Sequence, residues 1–360
     1  MVDGEIIDRG DWSGPGGART ILRQPKVSAA ILETARGGLL RRGLGVEKAE
    51  AAVITNIAAD HLGDFGSRNL NELLDIKWIV SRAVESEGAL ILNAEDKLLV
   101  ENSANYQGKI VWFSLDPALP LISKHLEEGG SAFILQEGLL VRQTAHSQTQ
   151  ICSVPEIPIT LDGAARHNIA NALAAAALTF EMGLSLENIK AGLVSMSQDD
   201  NPGRTNVFDV KGFKVLVDFA HNPHAMGALF DLAAAIPATR RLLAFGQAGD
   251  RPDDLIRELT ESAWCIGLDR VLVSELAHYH RGRAHGDVFS VIKAELINQG
   301  ARPDQIAHFE EEMDALSNAL GWARSGDLII MLALDDREAI KNRLVELAQS
   351  SSPDSAVQGD

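Results

Sequence analysis

Asp218-Phe-Ala-His221-Asn222-Pro-His224 puts a carboxylate, two imidazoles and a carboxamide directly after the apolar run Phe213 to Val217. Open α/β sheets bind ligands at the carboxyl ends of their strands, so polar groups released there mark a site and not a scaffold. Arg166-His-Asn168-Ile-Ala-Asn171 and Asn201-Pro-Gly-Arg204 lie upstream and add further polar groups. Glu33 ends another apolar run, and the Thr34-Ala-Arg-Gly-Gly38 turn after it lets backbone approach a ligand closely. Asp60 and His61 follow the next run through Thr55-Asn56. An acidic oxygen and an imidazole at adjacent strand ends suit a shared divalent cation, magnesium preferring few protein ligands plus phosphates and waters. A helix-capping glutamate and a satisfied turn histidine explain the same spacing equally well.

Other groups carry less by themselves. Arg36, Arg41 and Arg42 form a basic cluster that a solvated helix face explains, unless a phosphate- or carboxylate-bearing substrate lies beside it. Lys77 reads as a surface lysine with its stem over apolar neighbours such as Trp78. Gly246-Gln-Ala-Gly249-Asp250-Arg251 follows the run Leu242 to Phe245 and suits an anion-binding turn, without the third glycine and downstream acid of a dinucleotide fingerprint. His278, His280 and His285 have no carboxylate or thiol in metal spacing, so this stretch reads as a polar substrate-contacting loop. No G-x-x-x-x-G-K-[ST] occurs, so an ATP-cleaving phosphate loop is absent from the sequence.

These groups need strands to place them. Val27 to Leu32, Ala51 to Ile54, Ala89 to Leu92 and Ile110 to Phe113 read as buried parallel strands, with helices at Leu70 to Val84 and Ile169 to Glu181. Phe133 to Arg142 reads as a hairpin, and Ser147 to Asp162 as extended chain. After Asn201-Pro-Gly the alternation restarts with strands at Lys214 to Val217, Arg241 to Phe245, Arg270 to Val273 and Asp327 to Ala333. The fold class is therefore α/β, with domains expected at 1–201 and 202–347 and a frayed tail at 348–360.

With 360 residues, 46% hydrophobic and 23% charged, the chain can bury two ordinary cores. Its formal charge of −17 argues against a broad nucleic-acid or anionic membrane surface. Two cysteines, Cys152 and Cys265, fit a reducing compartment without a disulfide framework. No apolar run reaches the ~20 residues that span a bilayer, and no signal-peptide layout opens the chain, so a cytoplasmic location is expected.

Glu33-Thr-Ala-Arg-Gly-Gly, Thr55-Asn-Ile-Ala-Ala-Asp-His-Leu, Arg166-His-Asn-Ile-Ala-Asn, Pro202-Gly-Arg, Asp218-Phe-Ala-His-Asn-Pro and Ala248-Gly-Asp-Arg run in one order along nearly the whole chain. In that order they resemble the Mur ligase family and, within it, the Mur-ligase-like half of cyanophycin synthetases. The resemblance implies a truncated P-loop-type central domain followed by a Rossmann-like C-terminal domain. It implies an ATP-dependent amide ligase working through an acyl phosphate, adding an amino acid such as arginine to a poly-aspartate or peptide carboxylate. Glu33 and His61 would help hold Mg2+ beside the γ-phosphate, and Asn168 and Asn171 would lie near the adenine. Arg204 would lie near the phosphates and Asp218 at the ribose, with His221 and Asn222 closing a site between two lobes. Lys77 matches a position that is carbamylated in several Mur ligases. The family's phosphate loop lies upstream of the region matched here, so the chain is expected to be either a fragment truncated by an internal start or a split subunit given its P-loop by a partner chain, with exposed apolar surface and association, for instance as a homo-oligomer. The alternative is a noncatalytic nucleotide- or polymer-binding protein on the same fold.

Overall fold

The computed structural model describes residues 1–8, 10, 12–59, 69–201 and 203–351. These divide into two compact units, one of Met1–Ile157 with His167–Ser195 and the other of Pro158–Arg166 with Met196–Asp360.

The first unit holds a six-stranded sheet in the order β1-β2-β3-β4-β5-β6. Its strands are β1 (Ala49–Ile54), β2 (Val84–Asn93), β3 (Lys109–Ser114), β4 (Ser131–Gln136), β5 (Leu139–Thr144) and β6 (Gln148–Ser153). The first four run parallel. Glu137 and Gly138, both at positive φ, then turn β4 into an antiparallel ladder with β5 and β6. Around it lie α1 (Pro15–Leu22), α2 (Arg36–Arg42), α3 (Leu70–Trp78), α4 (Lys97–Ser103), α5 (Pro120–Glu127), α6 (Arg166–Glu181) and α7 (Leu186–Ser195). Strand periodicity sends Leu90, Leu92 and Trp112 into a core with Leu73, Leu99 and Ile122. Their neighbours Ile91, Val111, Phe113 and Phe133 are equally buried on the opposite face. Alanine along α6 lets that helix lie close, and Phe180 meets Phe133 with ring centroids 5.8 Å apart.

Two expectations fail in this unit. Residues 27–32 form no strand: they run as irregular chain with Ile31 69% exposed. A doubly buried parallel strand needs ladder partners, and the described sheet starts at β1 with none beside this segment. Only residues 148–153 of the expected extended stretch form a strand. Pro155 and Pro158, which cannot donate to a ladder, sit in the short 3-10 turns that follow. Several large apolar side chains of the first 31 residues are exposed, among them Ile6, Trp12, Leu22 and Ile31.

The second unit is a six-stranded sheet in the order β11-β10-β9-β12-β8-β7. It contains β7 (Asn206–Val210), β8 (Phe213–Asp218), β9 (Arg241–Phe245), β10 (Arg270–Ser274), β11 (Ile306–Phe309) and β12 (Leu328–Leu332). All pairs are parallel except the β7–β8 hairpin. The helices are α8 (Pro223–Ala235), α9 (Asp253–Trp264), α10 (Asp287–Asn298), α11 (Glu312–Trp322) and α12 (Arg337–Ser351). Leu216, Leu243, Val271 and Ile330 face α8, α9 and α10, while Val215, Leu242, Leu272 and Ile329 face α11 and α12. Both faces are dry, as a doubly wound sheet requires. No helix among the described residues is long and apolar enough to cross a membrane.

Candidate functional sites at the strand ends

In the first unit three side chains pin the loop that leaves β1. Asn93 Nδ2 donates to the Thr55 carbonyl at 3.1 Å, Lys77 Nζ to the Asn56 carbonyl at 3.1 Å, and Ile57 N–H to Asp96 Oδ2 at 2.6 Å. Asp96 also caps α4 by accepting from Leu99 N–H. Lys77 is therefore a half-buried brace and not the solvent-facing lysine its neighbours suggest. Asp60 and His61 lie outside the described residues. Glu33 is exposed and borders a cleft with Asp8, Trp12 and Ile21.

Beside it, a second cleft is walled by the backbone of Gly14, Gly16, Gly37 and Gly38 together with Arg41 and Arg42. The two backbones approach closely here, an added Cβ at Gly38 standing 3.1 Å from the Gly14 Cα. Two guanidinium-bearing residues over exposed backbone suit a carboxylate or phosphate group. Of the basic cluster, Arg41 and Arg42 border this cleft while remaining exposed to solvent. Asn168, buried, and Asn171, exposed, lie three residues apart on one face of α6.

The second unit brings more groups together. Asp218 ends β8 with 8% of its surface exposed, and Oδ2 accepts from Thr205 N–H at 2.7 Å and from Thr205 Oγ1 at 3.2 Å. Oδ1 accepts from Ala220 N–H at 2.7 Å. His221 is set by its Nδ1 against the Phe219 carbonyl at 3.0 Å, and Asn222 caps α8 by accepting from Ala225 N–H at 2.9 Å. Between them the Phe219 ring lies under two guanidinium groups, Arg337 at 3.8 Å and Arg204 at 5.3 Å from its centroid. Arg337 Nε is buried without a hydrogen-bond partner among the described residues. Its stem passes so near Gly203, at φ +76°, that an added Cβ there would meet Arg337 Cδ at 2.6 Å.

Arg337 owes its position to Glu312, almost fully buried, whose carboxylate accepts from the N–H groups of Leu334, Asp335 and Asp336 at 2.8 to 3.0 Å. Burial pushes that carboxyl up, against the three N–H bonds that favour its charge.

The glycine turn after β9 is clamped from the loop after β10. Arg283 donates to the carbonyls of Gly249 and Arg251 at 2.6 Å, and Gly249 N–H donates to the Tyr279 carbonyl at 2.8 Å. A Cβ at Gly249 would fall 2.0 Å from the His280 carbonyl oxygen. The turn is thus fixed by protein groups. His278 sits on Asp335 at 2.8 Å, and that hydrogen bond raises its pKa.

The sequence contains profiles of two known domains: the Mur ligase middle domain over residues 18–179 and the Mur ligase glutamate ligase domain over residues 203–333. The chain belongs to the Mur ligase family. It is 34% identical over 341 residues to a cyanophycin synthetase of Trichormus variabilis, covering 93% of this chain and 37% of that protein. The chain thus spans little more than a third of the length of the cyanophycin synthetases it matches. Among solved Mur ligases, MurF from Acinetobacter baumannii shares the fold with a TM-score of 0.66 at 18% identity, covering 94% of this chain and 70% of that one. MurF from Thermotoga maritima in complex with ADP gives 0.54 at 17% identity, covering 86% and 64%.

Within this Mur ligase chain, sequence reasoning missed Thr205, Phe219, Arg337 and the buried Glu275. Only Gly203 hinted at Arg337, since a glycine before an arginine signals close approach of another group. Nothing in local spacing connects Arg337 with a residue 133 positions earlier.

Proposed function

We propose that this chain is the acceptor- and nucleotide-handling part of an ATP-dependent amide ligase of the Mur and cyanophycin synthetase type. An acceptor carboxylate oxygen attacks the γ-phosphorus of ATP, releasing ADP and leaving an acyl phosphate. The amine of an amino acid such as arginine then attacks the acyl carbon, forming the amide and expelling phosphate, with loss of one amine proton.

The observation that carries this reading is the pair Arg204 and Arg337 over Phe219, beside the Asn222-capped start of α8, in a chain of net charge −17. Local cations at the carboxyl end of a parallel sheet select a small anion, here the phosphates of a nucleotide. Asp218 orders the turn that presents Arg204, and its remaining acceptor capacity is available to a ribose hydroxyl. His221 and Asn222 fix the mouth of α8.

In the first unit Asn168 and Asn171 would take the adenine, and Lys77 steadies the loop that leads to His61. Glu33, an exposed carboxylate, fits a hard cation that keeps most of its waters, and Mg2+ held there with His61 would offset charge on the transferred phosphoryl group. The glycine and arginine cleft at Gly14, Gly38, Arg41 and Arg42 suits the carboxylates of an aspartate-rich acceptor. The phosphate loop, which this sequence does not contain, would be supplied from outside it, by a further segment of the same protein or by a P-loop-bearing partner.

An ATP-consumption assay with arginine and an aspartate-rich acceptor tests the reading, run on the chain alone and with a P-loop-bearing polypeptide. Turnover in either arm supports it, and none in both overturns it. ATP binding without phosphate release would assign the chain instead to noncatalytic nucleotide binding.

A further inference from the structure

The end of the second sheet at β10 and β11 gathers histidines and acids that the ligase reading does not use. Glu275, directly after β10, is buried, with its side chain 5% exposed. Its Oε1 accepts from Gly286 N–H at 3.1 Å and meets His308 Nε2, on β11, at 2.7 Å. Its Oε2 meets His280 Nε2 at 3.2 Å. His285 completes the group: one donor atom each from Glu275, His285 and His308 lie within 4.8 Å of one another. Phe289 stacks flat on His308 at 4.1 Å, fixing the ring, and Glu310 meets His285 Nε2 at 2.8 Å.

A buried carboxylate needs a compensating charge. Among the described residues no lysine or arginine pairs with Glu275; its ionic partners are His280 and His308. We propose that Glu275, His285 and His308 form a binding site for a zinc-like divalent transition-metal ion. Two imidazoles and one carboxylate are a zinc donor set that leaves a further position open, whereas magnesium takes oxygen donors. Glu310 is near enough to orient His285 or to add an oxygen, and His280 supports the far oxygen of Glu275 in the way outer groups steady metal ligands. Sequence spacing hid the site, because Glu275 and His308 come from different strands.

The ion has a structural consequence. The loop from Glu275 to Gly286 carries Tyr279 and Arg283, which clamp the glycine turn after β9. Tying both ends of that loop to β11 stiffens the clamp. The proposal is independent of the chain's activity, since it concerns binding and stability alone.

The test uses the full chain, stripped with chelator and freed of any histidine tag, titrated with Zn2+ against a chromophoric chelator and with Co2+ as an absorption probe. One ion per chain is expected, with cobalt bands of an imidazole-bearing site and a rise in Tm of at least about 3 °C at saturating zinc. His308→Ala and Glu275→Gln should each weaken zinc binding at least about tenfold. His285→Ala, in an exposed loop, gives the same loss without disturbing the core, which keeps the test valid should the buried variants fail to fold. Absence of stoichiometric binding overturns the proposal, as does binding that survives His285→Ala and His308→Ala unchanged.

Discussion

Asp218 Oδ2 accepts both the N–H and the hydroxyl of Thr205, at 2.7 and 3.2 Å, while Thr205 sits in the left-handed region at φ +54°. A β-branched residue in that conformation is a true outlier, held only where its surroundings over-determine it. The two hydrogen bonds supply that determination. They fix the turn from which Arg204 reaches toward Phe219, so backbone strain and ligand-facing charge are coupled through one carboxylate.

Asp218→Ala would leave three buried donors without acceptors and should destabilise the second unit by about 3 kcal/mol. Thr205→Gly keeps the N–H bond, loses the hydroxyl bond and relieves the left-handed backbone, so its net change should stay within about 1 kcal/mol. Urea denaturation of both variants measures the difference. Equal destabilisation would mean that the side-chain hydroxyl, and not the backbone conformation, governs this turn.

Arg337 and Arg204 should matter for anion binding more than for folding. Replacing either by alanine is expected to weaken ATP or ADP binding about 10- to 100-fold, the loss of a charge-assisted contact to phosphate. Fluorescent-nucleotide titration reads this directly, with circular dichroism as the fold control. Unchanged affinity in both variants would remove the phosphate role assigned to the Phe219 platform.

Much of the second sheet was legible because strands β8, β9, β10 and β12 are short apolar runs ending in polar turns. Strands β7 and β11 were not, since Asn206-Val-Phe-Asp-Val and Ile306-Ala-His-Phe are edge strands whose side chains are only partly apolar or partly buried. Residues 27–32 show the opposite failure. Their pattern reads as a strand, but a strand exists only with a partner to bond. The same limit applies to the sites: Asp218, His221 and Asn222 stand together in sequence and in space, whereas Arg337 over Phe219 and His308 on Glu275 are tertiary pairings.

The two thiols should behave differently. Burial, with the nearby Glu156 carboxylate adding to it, pushes the Cys152 pKa up to about 11, whereas Cys265 is exposed. The thiolate is the reactive form, so at pH 8 a thiol reagent should label one cysteine per native chain quickly and the second only on unfolding. Cys265→Ser should abolish the fast phase. A fast phase that survives that substitution would show Cys152 to be accessible.

Glu312 and Asp327 make the second unit sensitive to acid in opposite senses, and Asp327 gives the cleaner test. Burial alone would raise its carboxyl, but the Arg240 hydrogen bonds, the Arg324 N–H and the Arg240 charge outweigh burial and hold it below the usual 3.8. Arg240 Nε donates to Asp327 Oδ1 at 3.1 Å and its guanidinium covers Trp322 at 3.9 Å. A carboxyl lowered in the folded state stabilises fully above its unfolded pKa and loses that contribution as pH falls through the folded one. Asp327→Asn should therefore cost about 3 kcal/mol at pH 7, where it leaves Arg240 without its counter-charge. The gap between variant and parent should narrow as pH drops below 3.8. Glu312 works the other way: its raised pKa means the folded chain gains relative stability as that carboxyl protonates, so Glu312→Gln, which lacks that gain, should steepen the acid limb relative to the parent. Thermal melts of the parent and both variants from pH 7 to 3 distinguish the two groups, and a pH-independent gap for Asp327→Asn would show that its ion pair does not govern acid stability.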